Sequence, residues 1–303
     1  MPMVAKQRFA TENEKKEYVR QCDADFENRL DAVIKSLCEV KGLQFVTLSG
    51  PTCSGKTTAS KKMVSEFMER GRTVKIISLD DFFRDRTVLE REAIKTGGKL
   101  DFDSEKALDL DELSSFMHSI QNGRTARIPR FDFALAKRVR YDSFSVEEKD
   151  IVIFEGIQAI YPAFTSLIEK NSNIKSFYIS PLESLQLGET IIPPREIRLW
   201  RRLVRDYKYR AASPGFTFHL WESVTENEDK NILPYALDTD FSINSLLGYE
   251  PCMLKSSLKD ILPEVEKGDK YYEKAQSILD VLKDAEEISS EYLPHDSLYH
   301  EFM

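Results

Sequence analysis

The chain has 303 residues, of which 41% are hydrophobic and 31% are charged, as in an ordinary globular protein. This composition excludes collagen-like, disulfide-scaffold and wholly disordered proteins, and the length allows one large domain or two ordinary ones. The formal net charge of −8 argues against a surface that coats DNA or RNA, because such a surface is basic.

The N-terminal residues, the lengths of the apolar stretches and the cysteines indicate the compartment in which the chain is expected to act. Its first twenty residues are polar and charged, without the apolar run of a secretory signal. No stretch approaches the roughly 18 consecutive apolar residues of a membrane span. The four cysteines, at positions 22, 38, 53 and 252, lack zinc-type spacing and predict free thiols in a reducing compartment. We therefore expect a cytoplasmic protein with no nucleic-acid or membrane partner.

Apolar periodicity predicts an alternation of helices and strands along the chain. The predicted helices cover 12–40, 57–70, 105–121, 196–210 and 265–287, and the predicted strands cover 44–49, 73–79, 150–154, 175–180 and 241–247. Such alternation is typical of βαβ units, so we expect an α/β fold with a mostly parallel sheet of about five strands. The two terminal helices are either contacts of a homo-oligomer or packed ends of the chain.

The strongest motif is Gly50-Pro-Thr-Cys-Ser-Gly-Lys-Thr57, which fits G-x-x-x-x-G-K-[ST] at every fixed position. A predicted strand precedes it and a predicted helix follows. Glycines let the backbone turn tightly around phosphates, while Lys56 reaches the β- and γ-phosphates and the Thr57 hydroxyl binds Mg²⁺. The N-K-x-D tetrapeptide of GTPases is absent from the sequence. The motif predicts nucleotide binding without defining a reaction or deciding between ATP and GTP.

Acidic residues follow two of the predicted strands. Asp80 and Asp81 follow the strand at 73–79, where a carboxylate accepts a hydroxyl proton, holds Mg²⁺ or merely caps a helix. Glu155 ends the apolar run at 151–154, like the Mg²⁺-linked acid of a Walker B strand or an ordinary loop acid. Open α/β sheets bind ligands at this end of their strands. The phosphate loop in the same chain favours a functional role for Glu155.

A basic stripe follows, with seven Lys or Arg residues between positions 195 and 210. Arg198, Arg202 and Arg205 are spaced to share one helix face. Guanidinium groups match the charge that phosphoryl transfer spreads over three oxygens, although such a stripe also occurs as a solvated face or an RNA contact. The turn Gly97-Gly98-Lys99 is either a mobile loop beside the acceptor or a plain surface turn.

Taken together, these segments resemble the uridine kinase and phosphoribulokinase family. The resemblance lies in residues 50–58, 78–83, 102–103, 128–133, 154–157 and 198–206, with a further likeness at the chain ending 292–302. It is closest to the bacterial-type uridine or nucleoside kinase branch. It implies a P-loop NTPase fold with a kinase domain over 41–264, an arginine-rich helical lid around 195–215, an N-terminal helical extension (1–40) and a C-terminal helix and tail (265–303).

The resemblance also implies an activity: transfer of the ATP γ-phosphoryl group to the 5′-hydroxyl of uridine or cytidine, with Mg²⁺ as cofactor. Asp80 would be the general base, and Lys56, Arg202 and Arg205 would stabilise the transferred group. The metal contacts would be Thr57, Glu155 and Asp80. The donor would be bound by Gly50, Pro51, Thr52, Cys53, Ser54, Gly55, Lys56, Thr57, Thr58 and Arg210. The acceptor would be bound by Asp80, Asp103, Phe131, Phe133 and Arg202.

Three positions depart from the pattern of the eukaryotic uridine–cytidine kinases. Phe131 and Ala136 stand where those enzymes have a base-reading Tyr and His, and Ala212 replaces a ribose-binding lid arginine. Phe131 and Phe133 retain aromatic faces that can stack on a pyrimidine. The alternatives to a pyrimidine nucleoside kinase are a kinase for another small alcohol, a nucleotide-binding regulator with little turnover, and a nucleic-acid-associated ATPase.

Overall fold

The computed structural model describes residues 1–96, 104–168 and 172–303. Its strands are β1 (Met3–Val4), β2 (Phe45–Ser49), β3 (Thr73–Ser78), β4 (Ala126–Asp132), β5 (Lys137–Phe144), β6 (Asp150–Glu155), β7 (Ile174–Ser180), β8 (Leu185–Leu187), β9 (Thr190–Ile192) and β10 (Phe241–Asn244). Its α-helices are α1 (Glu12–Cys38), α2 (Lys56–Glu69), α3 (Arg86–Thr96), α4 (Leu110–Gln121), α5 (Pro162–Thr165), α6 (Pro194–Arg210), α7 (Pro214–Asn227), α8 (Leu233–Ala236), α9 (Glu250–Ile261) and α10 (Tyr272–Leu282). The predicted acceptor contact Asp103 and the turn at 97–99 lie outside the described residues.

A five-stranded sheet forms the centre of the molecule, in the order β10-β7-β2-β6-β3, and each neighbouring pair is parallel. Every residue of β2 is buried, as is every residue of β6 except Glu155. Continuous buried strands are expected where helices cover both faces of a parallel sheet. The α/β fold with about five mostly parallel strands is therefore confirmed, and the five predicted strands are these five.

The register of the sheet brings three loops together at one edge. Leu48 of β2 and Ser78 of β3 both pair with Glu155 of β6. The chain leaves β2 into the phosphate loop and leaves β3 into a short 3₁₀ helix, Leu79–Phe82. Both segments and Glu155 therefore lie at the same carboxyl-terminal edge, the usual ligand-binding edge of such a sheet.

Both terminal helices pack into the same core as the sheet. At the start of α1 the Thr11 hydroxyl accepts a hydrogen bond from the Glu14 N–H at 3.2 Å, which caps the helix. The buried face of α1 includes Val19, Phe26 and Leu30, while α10 contributes Ala275, Ile278 and Leu282. These apolar faces are thus covered within the chain. Among the described residues, no helix combines the length and apolar character needed to cross a membrane.

Several elements were missing from the sequence prediction. The antiparallel hairpin β4–β5 was missed because β5 is largely polar and exposed, without a strong apolar alternation. The helices α3, α7 and α9 were missed as well. The helix predicted at 105–121 begins as a 3₁₀ turn, and α4 starts only after Asp109, whose carboxylate accepts from the Glu112 N–H at 3.1 Å.

Candidate active site

The phosphate loop joins β2 to α2 through a backbone path that its glycines permit. Gly55 has φ of 101° and Cys53 has φ of 57°, both in the left-handed region. A Cβ on Gly50 would lie 2.3 Å from the Ile179 carbonyl oxygen of β7. Glycine at position 50 therefore allows the loop to pass directly over a central strand.

Lys56 is the first residue of α2 and is held against the loop. Its Nζ donates to the carbonyl oxygens of Gly50 at 2.8 Å and Pro51 at 3.1 Å. Burial lowers the pKa of Lys56, while the negative charges of Glu155 and Asp80 act in the opposite direction. The ammonium group is thus placed at the loop, close enough to Glu155 at the end of β6 and to Asp80 after β3 for their charges to affect it.

A cavity of about 950 Å³ lies over the phosphate loop, and its lining includes predicted catalytic and metal-binding residues. Lys56 and Thr57 line it from the start of α2, Asp80 from the 3₁₀ helix after β3, and Glu155 from the end of β6. Burial raises the pKa of Glu155, and the neighbouring Lys56 lowers it only in part. A carboxylate in this position would be stabilised by an additional positive charge, such as that of a bound metal ion.

The donor atoms at the cavity fit magnesium that arrives with a nucleotide. Thr57, Asp80 and Glu155 offer oxygen ligands, which a hard cation such as Mg²⁺ prefers. Within the described part of the chain, no three His, Cys, Asp or Glu side chains group closely enough to hold a metal by themselves. Mg²⁺ usually takes one or two protein carboxylates and completes its shell with phosphates and water, so this arrangement suits it.

The basic helix α6 packs most of its arginines into the protein, although Arg210 at its end is exposed. Arg198 pairs with Glu228, and Arg201 donates through Nε to Glu250 at 2.7 Å. Both side chains of the Arg201–Glu250 pair are 0% exposed. Arg201 also donates through Nη1 to the Cys53 carbonyl at 3.1 Å. This buried pair therefore ties the phosphate loop to α9.

The three arginines predicted to act in the lid converge on Asp206. Nε of Arg202 donates to it at 3.1 Å, Nε of Arg205 at 2.9 Å, and Nη1 of Arg210 lies 3.4 Å away. Arg205 also donates to the Thr52 hydroxyl at 3.2 Å. Arg205 and Arg210 line the cavity. The Arg202 guanidinium instead lies 5.8 Å from the centre of the Trp221 ring, so the structure brings two of the three arginines to the cavity over the phosphate loop.

Asp81 fixes the β4–β5 hairpin beside Asp80. Its carboxylate accepts from Arg130 Nη1 at 2.8 Å and from the Phe131 N–H at 3.1 Å. The ring of Phe131 lies 5.7 Å from that of Phe83 and 5.3 Å from that of Phe133. This aromatic cluster adjoins the 3₁₀ helix that carries Asp80, and Phe133 is 66% exposed. The sequence shows Asp80 and Asp81 side by side, but it does not show that Asp81 pairs with Arg130 and so anchors the hairpin.

Sequence reasoning missed the C-terminal segment as a part of the site. His295, Asp296, Ser297, His300, Glu301 and Phe302 all line the cavity. Leu298 packs on the P loop, since a Cβ on Gly55 would lie 2.6 Å from its Cδ1. The only hint of this contact in the sequence is that residues 292–302 resemble the chain ending of the related kinase branch. That resemblance alone assigns no role to the segment.

Comparison with known proteins agrees with this geometry. The profile of the phosphoribulokinase/uridine kinase family matches residues 45–248. The chain belongs to this family. A uridine kinase of Clostridium perfringens is 30% identical over 167 residues, covering 55% of this chain and 69% of its own. A uridine kinase of Halalkalibacterium halodurans is 29% identical over 190 residues, covering 62% and 76%.

The solved structure of the YGR205w protein aligns with a TM-score of 0.50 at 18% identity, covering 71% of this chain and 88% of its own. That similarity is evidence for the fold alone. The family predicted from the motifs is confirmed, and the chain is a P-loop kinase, a transferase that binds nucleotide. Membership implies the use of ATP, typically with Mg²⁺, and a small-molecule acceptor. The individual residue roles and the three-part division of the chain stay predictions.

Proposed function

We propose that this kinase transfers the γ-phosphoryl group of ATP to the 5′-hydroxyl of uridine or cytidine, forming UMP or CMP in cytoplasmic pyrimidine salvage. The observation that carries the proposal is the cavity lined by Lys56, Thr57, Asp80 and Glu155, which come from three separate segments of the chain. Relatives named uridine kinase support the choice of acceptor.

On the donor side, the loop from Gly50 to Thr58 would cradle the phosphates with its N–H groups. Lys56 would exchange its carbonyl partners for the β- and γ-phosphates. Mg²⁺, held by Thr57, Glu155 and Asp80, would neutralise charge on the triphosphate. Arg205 and Arg210 would add positive charge at the same cavity, and Arg202 would join them if α6 adjusts when the substrates bind.

On the acceptor side, Asp80 would orient the hydroxyl and accept its proton as the oxygen attacks. Phe131 and Phe133 would offer aromatic faces to a pyrimidine ring. Asp103 would hold the ribose hydroxyls. Closure around both substrates would exclude water and limit hydrolysis of ATP.

A kinase for a different small alcohol is the second candidate. It is favoured by the apolar residues Phe131, Ala136 and Ala212, which stand where related nucleoside kinases carry polar readers of the base and ribose. Ala136 occupies a left-handed turn of the hairpin, with φ of 51°, and brings no hydrogen-bonding group to the acceptor. Turnover with an acceptor other than a nucleoside would favour this candidate.

The test compares two neighbouring acids that have different partners. Asp80→Asn removes the proposed base but keeps a side-chain oxygen that can contact Mg²⁺. The kcat should therefore fall by about 10²–10⁴-fold while the Kd for ATP stays within about threefold of wild type. Asp81→Asn weakens only the hairpin anchor, so it should mainly raise KM for the acceptor. Near-normal kcat in Asp80→Asn, or loss of ATP binding in a folded Asp80→Asn protein, would contradict the assignment of Asp80.

A further inference from the structure

The C-terminal segment 290–303 is anchored firmly beside the phosphate loop. Leu298, Tyr299 and Phe302 are almost completely buried within the main core. The Tyr209 hydroxyl donates to the Met303 carbonyl, and the Arg201 guanidinium lies 4.8 Å from the Phe302 ring centroid. The segment is thus a packed part of the kinase, and the position of Glu301 within it is defined by neighbours on both sides.

Glu301 places a carboxylate on the first turn of α2. Its Oε1 accepts from the Thr58 N–H at 2.6 Å and from the Thr58 hydroxyl at 2.6 Å. The cap residue of this helix, Gly55, has no side chain to satisfy the N–H groups of the first turn. An anion is favoured at this position, because the unpaired N–H groups and the helix dipole both attract negative charge.

The same N–H groups are those with which a P loop binds phosphate. A carboxylate oxygen and a phosphate oxygen are both anionic acceptors, and they cannot share one N–H and one hydroxyl at hydrogen-bond distance without repulsion. Thr58 directly follows the Lys56-Thr57 pair that defines the motif. Glu301 therefore occupies a position that the donor nucleotide needs.

We propose that Glu301 is an intramolecular competitor of the donor nucleotide, which occupies a phosphate position on Thr58 and must leave it before that position is filled. The inference rests on the proposed use of ATP. The side chain of Glu301 is partly exposed, unlike its buried neighbours Leu298, Tyr299 and Phe302. Rotation of this one side chain vacates the position while the rest of the segment stays packed. Glu301 thus lowers the affinity for nucleotide and stabilises the loop when no nucleotide is bound.

The experiment measures binding by calorimetry at fixed ionic strength, with Mg·ATP, inorganic tripolyphosphate and adenosine as probes. Glu301→Gln keeps the shape and removes the charge, while Glu301→Asp keeps the charge and shortens the reach. The matched control is Glu291→Gln, because Glu291 is an exposed carboxylate of the same segment and is not among the residues that line the cavity. Circular dichroism establishes that each variant is folded.

Hydrogen bonds from neutral donors to a charged acceptor are stronger than those between neutral groups, so Glu301→Gln should bind tripolyphosphate and Mg·ATP about tenfold more tightly than wild type. Glu301→Asp should also bind both more tightly, by a smaller factor. Glu291→Gln should change these affinities less than about twofold. Adenosine, which lacks phosphate, should bind equally to all four proteins.

Unchanged or weaker tripolyphosphate binding in both Glu301 variants would overturn the inference and leave ATP use intact. An equal gain in Glu291→Gln would also overturn it, because the effect would then come from the general charge of the segment. If neither wild type nor Glu301→Gln binds Mg·ATP or tripolyphosphate, the proposed donor site fails together with the inference. If Glu301→Gln binds these probes and the wild type does not, the inference is supported, because the wild-type carboxylate then blocks the site completely.

Discussion

Replacing Gly50 with alanine tests whether the path of the phosphate loop determines activity. The added Cβ would lie 2.3 Å from the Ile179 carbonyl oxygen and 2.5 Å from the Ser54 hydroxyl, whereas real Cβ contacts essentially never fall below 3.0 Å. Ile179 belongs to the central strand β7, which pairs with strands on both sides. The strand cannot easily yield, so the loop must move away from it.

The displacement has two consequences of different size. Forcing an extra carbon into a packed site costs about 1–3 kcal/mol of folding free energy. The Gly50 carbonyl also accepts from Lys56 Nζ at 2.8 Å, so moving it disturbs the phosphate-binding lysine. Because a misplacement of about 1 Å reduces catalysis on the order of 10²-fold, kcat/KM should fall by about that factor while most of the protein remains folded.

Gly71→Ala provides the matched control at the other end of α2. Gly71 also has a positive φ, of 74°, but nothing lies within 4 Å of the position that an added Cβ would take. This variant should lose about 1–2 kcal/mol to backbone strain and keep its kcat/KM. Urea unfolding and ADP release with Mg·ATP measure the two effects separately. Wild-type activity in Gly50→Ala, or an equal loss of activity in Gly71→Ala, would refute this reasoning.

Two further predictions concern buried charges. Arg201→Met leaves Glu250 buried without its partner and should lower the free energy of unfolding, measured in urea, by about 3–5 kcal/mol. The double variant Arg201→Met/Glu250→Met should recover much of that loss. A double variant no more stable than the single one would contradict this prediction. Burial raises the pKa of Asp150, but the Glu147 N–H and Lys75 lower it more, so its pKa is net lowered on folding. Its carboxylate therefore stabilises the fold above its unfolded pKa of about 4, and this contribution disappears as the pH falls through the folded value. Asp150→Asn should be less stable than wild type at pH 7 by about 1–3 kcal/mol, and this difference in unfolding free energy should shrink in acid. A difference that does not depend on pH would contradict the prediction.

The sequence predicted the donor half of the site because its signals are local. The motif that contains Lys56 and Thr57 fixes a strand, a loop and a helix in one short stretch. Asp80 and Glu155 each follow a predicted strand, and parallel strands end at a common edge. Their convergence on one cavity therefore followed from topology.

The remaining contacts depend on segments that meet only in the folded chain. Glu301 reaches Thr58 across 243 positions of sequence, through packing of the C-terminal segment. The helical spacing of α6 groups Arg198, Arg202 and Arg205, but their acidic partners are set by neighbouring elements and by Asp206. Hydrophobic patterning does not encode which ion pair a buried arginine joins.

The central claim is most directly tested by ADP release with Mg·ATP against a panel of uridine, cytidine, other nucleosides, pantothenate and pentose phosphates, with Asp80→Asn as the blank. We predict turnover that depends on uridine or cytidine and is lost in the blank. Tight binding of ATP without nucleoside-dependent turnover would contradict the proposed acceptor, and turnover with another alcohol on the panel would identify the second candidate.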